Sequence, residues 1–267
     1  MLIAATDLET TGVVKGSRAV ELGCVLYDTE QGEVVDRFES LIYPGMPIPP
    51  DVTDLHTITD DMVRDAPDAS IVFMNWLAWL PADAVLAIHN APFDCGIITY
   101  DAQRGGVPVP SHLRVIDTLA IARARNGKNG NALGKLVERY GIKVSGDAHR
   151  AGHDAEACVK VLMAMHAERP VLELLNPTPW DKAGHEYAYT DVMPTGLEDL
   201  PKLVTNRESL SFAYVDADEN RTERTIQPYG WAVWKEQFYF NGICQLRGGS
   251  RREFRADRVN QVFKGII

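Results

Sequence analysis

Cysteine is sparse in this chain: Cys24, Cys95, Cys158 and Cys244 are the four in 267 residues, far apart and without paired spacing. That excludes a disulfide framework and the close cysteine pairs of a structural zinc site. Long apolar runs are missing too. No stretch approaches the roughly 18 uninterrupted apolar residues of a membrane helix. The opening MLIAATDLETTG is cut by Asp7 and Glu9 with no basic flank, so neither a signal peptide nor an anchor is expected. A reducing cytoplasm and no membrane partner follow as expectations. No internal repeat or low-complexity tract is visible.

Positive charge is also short, with 27 Lys and Arg against 37 Asp and Glu and a net charge of −10. Phosphate contacts are usually made by Lys and Arg, so strong nonspecific affinity for nucleic acid is not expected. The deficit is uneven. Residues 1–167 carry 14 Lys and Arg against 22 Asp and Glu, whereas residues 205–267 carry 10 against 8.

Hydrophobic residues at 45% and charged residues at 24% fit an ordinary soluble globular protein. The length suits one domain of usual size and a smaller second one. LIAATD (2–7), AVELGCVLYD (19–28) and EVVDRFESLIY (33–43) read as three antiparallel strands, the last two joined by a short turn at 29–32. Helices are predicted over 59–64 and 69–80, the second stopped by Pro81. AVLAIHN (84–90) is a buried strand leading into a helix that carries Asp94. LRVID (113–117) is a fifth strand, with Asp117 or Thr118 capping the helix beyond, and helices over 131–140 and 154–167 follow. The expectation is α/β: a mixed five-stranded sheet flanked by helices.

Residues 168–204 hold Pro170, Pro177, Pro179, Pro194 and Pro201 without sustained periodicity, which reads as a linker with short helical pieces. Beyond it, alternating apolar and aromatic residues broken at 216–220, Gly230 and Gly242 predict several short strands closing into a small β-barrel. The expected parts are 1–167, 168–204 and 205–267.

Asp7 and Glu9 are two apart on a strand, so both carboxylates leave one face at its end, where hard cations could be shared. Phosphodiester cleavage by two metals needs such a cluster. Asp94, after the HNAPFD turn, and Asp154, in HRAGHDAEA, supply further carboxylates from separate elements. Each alone reads equally well as a helix cap or a surface residue.

Taken together, Asp7 to Gly12, Leu55 to Thr59, His89 to Asp94, Val115 to Thr118 and His149 to Ala155 resemble, in order, the motifs of the DEDDh exonucleases. These are relatives of polymerase proofreading subunits and oligoribonucleases, with a ribonuclease H-like fold. The resemblance covers residues 1–167 and implies 3′ to 5′ exonuclease activity with two Mg²⁺ or Mn²⁺ ions. By it, Asp7, Glu9, Asp94 and Asp154 are the metal ligands and His149, five residues before Asp154, is the general base. His153 is the competing histidine. Imidazoles change charge close to neutral pH and so suit a base. The resemblance also makes Thr10, Thr11 and His56 contacts of the terminal nucleotide and Asn90 a phosphate contact. His56 and His89 read equally well as plain hydrogen-bonding structure, and Asp117 as a cap or support. Thr57 departs from the pattern, standing where many relatives carry glycine.

Residues 205–267 resemble the WYL domain, an Sm-like β-barrel, through Phe238-Tyr239-Phe240, Cys244 to Arg247 and Arg252 to Arg258. That resemblance implies sensing of a ligand, in several relatives single-stranded nucleic acid. Tyr239 or Trp234 would be the stacking platform and Arg247, Arg251, Arg252, Arg255 and Arg258 a basic surface. The alternative is that Arg255 and Arg258 pair with Asp257 and Glu253 while the aromatics form core. The expected substrate is the 3′ end of DNA or short RNA, single-stranded. A 3′-end-binding protein, or an exonuclease subunit tethered to a polymerase or repair partner, are the other readings.

Overall fold

The computed structural model describes residues 1–108, 112–144, 146, 149–171, 174, 176–184 and 187–263. Strands β1 (Leu2–Thr10), β2 (Ala19–Asp28) and β3 (Glu33–Leu41) form an antiparallel meander. On the other side of β1, strands β4 (Val85–Ile88) and β5 (Arg114–Asp117) run parallel to it. β1 is therefore central, and its residues alternate between two cores: Ala4 and Leu8 face one, Ile3 and Ala5 the other. β3 lies at the sheet edge, where Glu33, Asp36, Arg37 and Glu39 discourage further pairing.

Among the described residues, seven helices up to residue 168 accompany this sheet. They are α1 (Pro50–His56), α2 (Asp60–Val63), α3 (Ala69–Trp79), α4 (Ala91–Arg104), α5 (Thr118–Asn126), α6 (Leu133–Tyr140) and α7 (Ala151–Glu168). Val72, Phe73 and Trp76 of α3 and Cys95, Ile97 and Ile98 of α4 fill the core on one face. Ile121, Ala122, Leu136, Ala155, Cys158 and Leu162, from α5, α6 and α7, fill the other. Each fully buried large apolar side chain contributes about 1.5–3 kcal/mol. The mixed sheet flanked by helices is as expected.

Two details of the first domain differ from expectation. Among the described residues the sheet has six strands, because β6 (Thr178–Pro179) pairs antiparallel with β5. A two-residue strand has no readable period, and proline is tolerated there because the strand is at the edge. Helix α1 was not expected, since it starts in a proline-rich stretch; Pro50 occupies its first turn, where a missing N–H costs nothing.

The 168–204 segment packs onto both parts of the molecule. Trp180 and Ala183 of α8 (Trp180–Ala183) join the first-domain core, and the Trp180 indole donates to Thr99 Oγ1 at 3.1 Å. Leu200 and Val204 of α9 (Leu200–Asn206) join the C-terminal core.

Beyond α9, β8 (Leu210–Val215), β9 (Arg221–Trp234), β10 (Gln237–Cys244), β11 (Ser250–Arg255) and β12 (Val259–Phe263) form an antiparallel sheet in the order β11-β10-β9-β8-β12. β7 (Tyr187–Ala188) adds to β9. Phe212 packs edge-on to Phe240 and Phe254, with centroids 5.3 and 5.1 Å away. Among the described residues β11 and β12 do not pair with each other, so the expected closed barrel is replaced by an open sheet. Leu200 and Val204 of α9 share one core with Phe212, Tyr214, Phe240 and Phe254, so a helix covers this face of the open sheet. No helix among the described residues is long and apolar enough to cross a membrane.

Candidate active site

Asp7 and Glu9 stand at the C-terminal end of β1, opposite Gly23 and Glu21 of β2. A register shift between Glu9 and Thr10 ends the regular pairing there and turns the chain toward Thr11. Helix α7 crosses above this end. It comes very close because Gly23 has no side chain: a Cβ there would lie 2.2 Å from the backbone of Ala151 and Gly152. The close approach brings Asp154, in the first turn of α7, to the two β1 carboxylates. Asp7, Glu9 and Asp154 each place a carboxylate oxygen within 4.8 Å of the others. Asp94, in the first turn of α4, lies beside them but outside that trio, its Oδ1 accepting from the Leu8 N–H at 3.1 Å.

The electrostatics are those of a cation site. Burial, then the charges of Asp94, Asp154 and Glu9, push the Asp7 carboxyl well above the usual carboxylate range. Glu9 is pushed up to about 8, first by burial and then by Asp154, Glu21 and Asp94. Asp94, also raised to about 8, is shifted mainly by burial and held back by the Leu8 hydrogen bond. Such a cluster is costly without positive charge, and all-oxygen donors suit hard divalent cations. The residues present therefore fit a divalent metal.

The other expected residues are spread more widely. His149 is exposed in the turn before α7, with a left-handed φ of 62°. His153 is partly buried, and its Nδ1 lies 3.0 Å from Asp154 Oδ1. Thr10 and Thr11 are buried, and Thr11 Oγ1 accepts from the Arg18 N–H at 3.0 Å. His56 is buried at the end of α1; its Nδ1 accepts from the Ile58 N–H at 3.0 Å, and its imidazole also faces the Thr10 backbone. Burial lowers its pKa. Asn90 is exposed at the start of α4, with φ 77° and its N–H on Asp117 Oδ1 at 3.2 Å. Asp117 also caps α5 through Leu119 and Ala120, the capping role read from the sequence. His89 is structural, bonded to Thr118 and Asn131. Thr57 adopts a left-handed φ of 63°, which explains why glycine suits this place.

Two residues of the site were missed by sequence reasoning. Glu21 receives Arg150 through both carboxylate oxygens and the Ala151 N–H at 2.9 Å. The signal was a lone carboxylate inside the apolar strand AVELGCVL, which demands a partner.

In the C-terminal sheet the expected ligand residues do not share one environment. Arg247 and Arg252 are exposed. Arg255 is held by Asp257 and Gln237. Tyr239 is covered by the Lys15 ammonium, 4.4 Å from its ring centroid.

The Exonuclease family model matches residues 5–162, spanning all four acids. The chain belongs to this exonuclease family. A WYL domain model matches residues 196–263, so the exonuclease carries a WYL domain behind it. Among curated relatives, DNA polymerase III PolC-type of Staphylococcus aureus is 33% identical over 212 residues, 74% of this chain. The chain spans only 14% of that polymerase's length. Among solved structures, exonuclease X in complex with 5′ overhanging duplex DNA is 24% identical with a TM-score of 0.51, over 63% of this exonuclease and 93% of that chain. The nuclease domain of 3′hExo, described as a DEDDh family member bound to rAMP, is 17% identical with a TM-score of 0.56, over 63% and 92%. These likenesses agree with the ribonuclease H-like fold.

Proposed function

We propose that this exonuclease removes nucleoside 5′-monophosphates from the 3′ ends of DNA or short RNA, with Asp7, Glu9, Asp94 and Asp154 holding two Mg²⁺ or Mn²⁺ ions. The observation that carries the proposal is the meeting of Asp7, Glu9 and Asp154 oxygens within 4.8 Å, in surroundings that raise the proton affinity of Asp7 and Glu9. When bound, divalent cations would supply acidity to water and charge to the departing oxygen. The protein's own part is to hold the carboxylates rigidly. β1 fixes Asp7 and Glu9, the Leu8 N–H orients Asp94, and the Glu21 clamp fixes the start of α7. His149, exposed in the turn ahead of Asp154, takes the proton from water; His153, already against Asp154, serves as its neighbour. Thr10, Thr11 and His56 line the terminal-nucleotide pocket, where the His56 imidazole, beside the Thr10 backbone, would meet the nucleotide. Asn90 contacts phosphate.

The test is shortening of a 5′-labelled single strand with Mg²⁺, abolished by Asp7→Ala and by His149→Ala but retained by His153→Ala. A strand left intact over a range of metals, or full activity in His149→Ala, would sink the respective assignment.

The similarity to PolC favours a second, compatible role beside a polymerase or repair partner. For the WYL domain, the pairing of the last strand, β12, with the first, β8, supports an Sm-like strand order in an open sheet. Exposed Arg247 and Arg252 are then the residues to meet nucleic acid or another anionic ligand. A soluble protein of the cytoplasm is the setting that fits these roles.

A further inference from the structure

The outer face of the C-terminal sheet is turned onto the exonuclease. In register across β9, β10 and β11, it presents Gly230, Ala232, Tyr239, Asn241, Arg251 and Glu253. Against it lies the loop of residues 11–18, which leaves β1 directly after Asp7, Glu9 and Thr10.

The contacts are specific and of several kinds. Lys15 is caged: its Nζ is 2.8 Å from Glu253, 4.7 Å from the Trp234 ring and 4.4 Å from the Tyr239 ring. Its carbonyl accepts from the buried Asn241 amide. Gly16 meets the Trp231 backbone so closely that a Cβ would lie 2.8 Å from the Trp231 carbonyl oxygen. A Cβ on Gly230 would likewise meet the Gly16 carbonyl at 2.7 Å. Gly16 also has a φ of 83°, so no other residue fits this join without strain.

Arg251 has the most direct link to the active site. Its guanidinium donates to the Thr11 carbonyl at 3.3 Å and pairs with Asp51, in the first turn of α1. α1 ends at His56, so one side chain of the WYL domain ties together both elements that carry the terminal-nucleotide contacts. A peptide carbonyl and a carboxylate on different elements, bridged by one planar guanidinium, are held in fixed relation in a way a single-donor contact would not achieve.

We propose that Arg251 is a positioning residue for the 3′-terminal nucleotide, and that the WYL domain completes the exonuclease pocket by docking through Arg251 and the Lys15 cage. This rests on reading Thr10, Thr11 and His56 as the terminal-nucleotide contacts. The same docking occupies Tyr239 and Trp234, so the domain's outer aromatic platform serves the exonuclease loop.

The test uses the full chain with Mg²⁺ and two substrates: a 5′-labelled single strand and the p-nitrophenyl ester of a nucleoside 5′-monophosphate, which fills only the terminal position. Arg251→Ala is expected to raise KM by about 5-fold or more on both, with kcat held within about twofold, because a loosened pocket weakens ground-state and transition-state binding alike. Arg251→Lys, keeping the charge but losing the fork, should recover part of the loss. Lys15→Ala should shift KM in the same direction. An unchanged KM in Arg251→Ala, or a fall in kcat with KM unmoved, overturns the proposal. A melting temperature matching the parent confirms that the variants are folded. His56→Ala separates the two readings. If it raises KM while Arg251→Ala does not, the pocket stands and the positioning role fails; if neither moves KM, the pocket assignment itself is wrong.

Discussion

Glu21 of β2 and Arg150, the residue before α7, form a two-oxygen ion pair beneath the acidic cluster, and Glu21 also accepts from the Ala151 N–H at 2.9 Å. The pair fixes the helix start that carries Asp154 and the turn that carries His149. Glu21→Gln keeps the shape and removes the charge, so it leaves Arg150 poorly matched. Activity should fall by about 10-fold, with the circular-dichroism spectrum unchanged. Activity equal to the parent would show that the clamp does not support the site.

The carboxylates repel one another until a cation arrives. Asp7→Asn should therefore raise the melting temperature of the metal-free protein while reducing hydrolysis by about 10³-fold or more. Calorimetry in chelator and a cleavage assay check the two halves. A lower metal-free melting temperature would mean that Asp7 is already stabilised by the protein.

Glu9 ordinarily titrates at 4.5 and in the fold at about 8, so between these values the folded protein binds a proton that the unfolded chain has lost. Asp94, likewise held near 8, acts in the same sense. Stability of the metal-free protein must then fall as pH rises through that window. Mg²⁺ competes with those protons, so its stabilising shift in melting temperature should be larger at about pH 8.5 than at about pH 6. A shift independent of pH would contradict the raised pKa values.

Thr57 closes α1 in the left-handed region, costly for a β-branched side chain. Thr57→Gly should gain about 0.5–1 kcal/mol after the flexibility cost of glycine is subtracted, readable in denaturant unfolding. A loss of stability would mean that the threonine side chain makes a compensating contact.

Part of this architecture is written in local pattern. The continuous apolar runs of β1 and β2, the Pro81 stop after α3 and the Asp117 cap of α5 depend on neighbours in sequence, and the elements lie where those signals put them. Asp7 and Glu9 share a face because strand period is two, whatever the rest of the chain does. Short elements without a period, such as β6, and α1 among its prolines, carry no such signal.

What sequence determined by itself was the set of carboxylates, their order and the family of the chain. Only the tertiary structure decided that Gly23 admits α7 close enough for Asp154 to meet Asp7 and Glu9, and that Glu21 holds it there. It also decided that Lys15 sits on Tyr239, and that Arg251 reaches Thr11 across 240 positions of chain. The physical reason is that these contacts join distant segments by shape and charge, and neither hydrophobic period nor motif spacing records which surfaces meet.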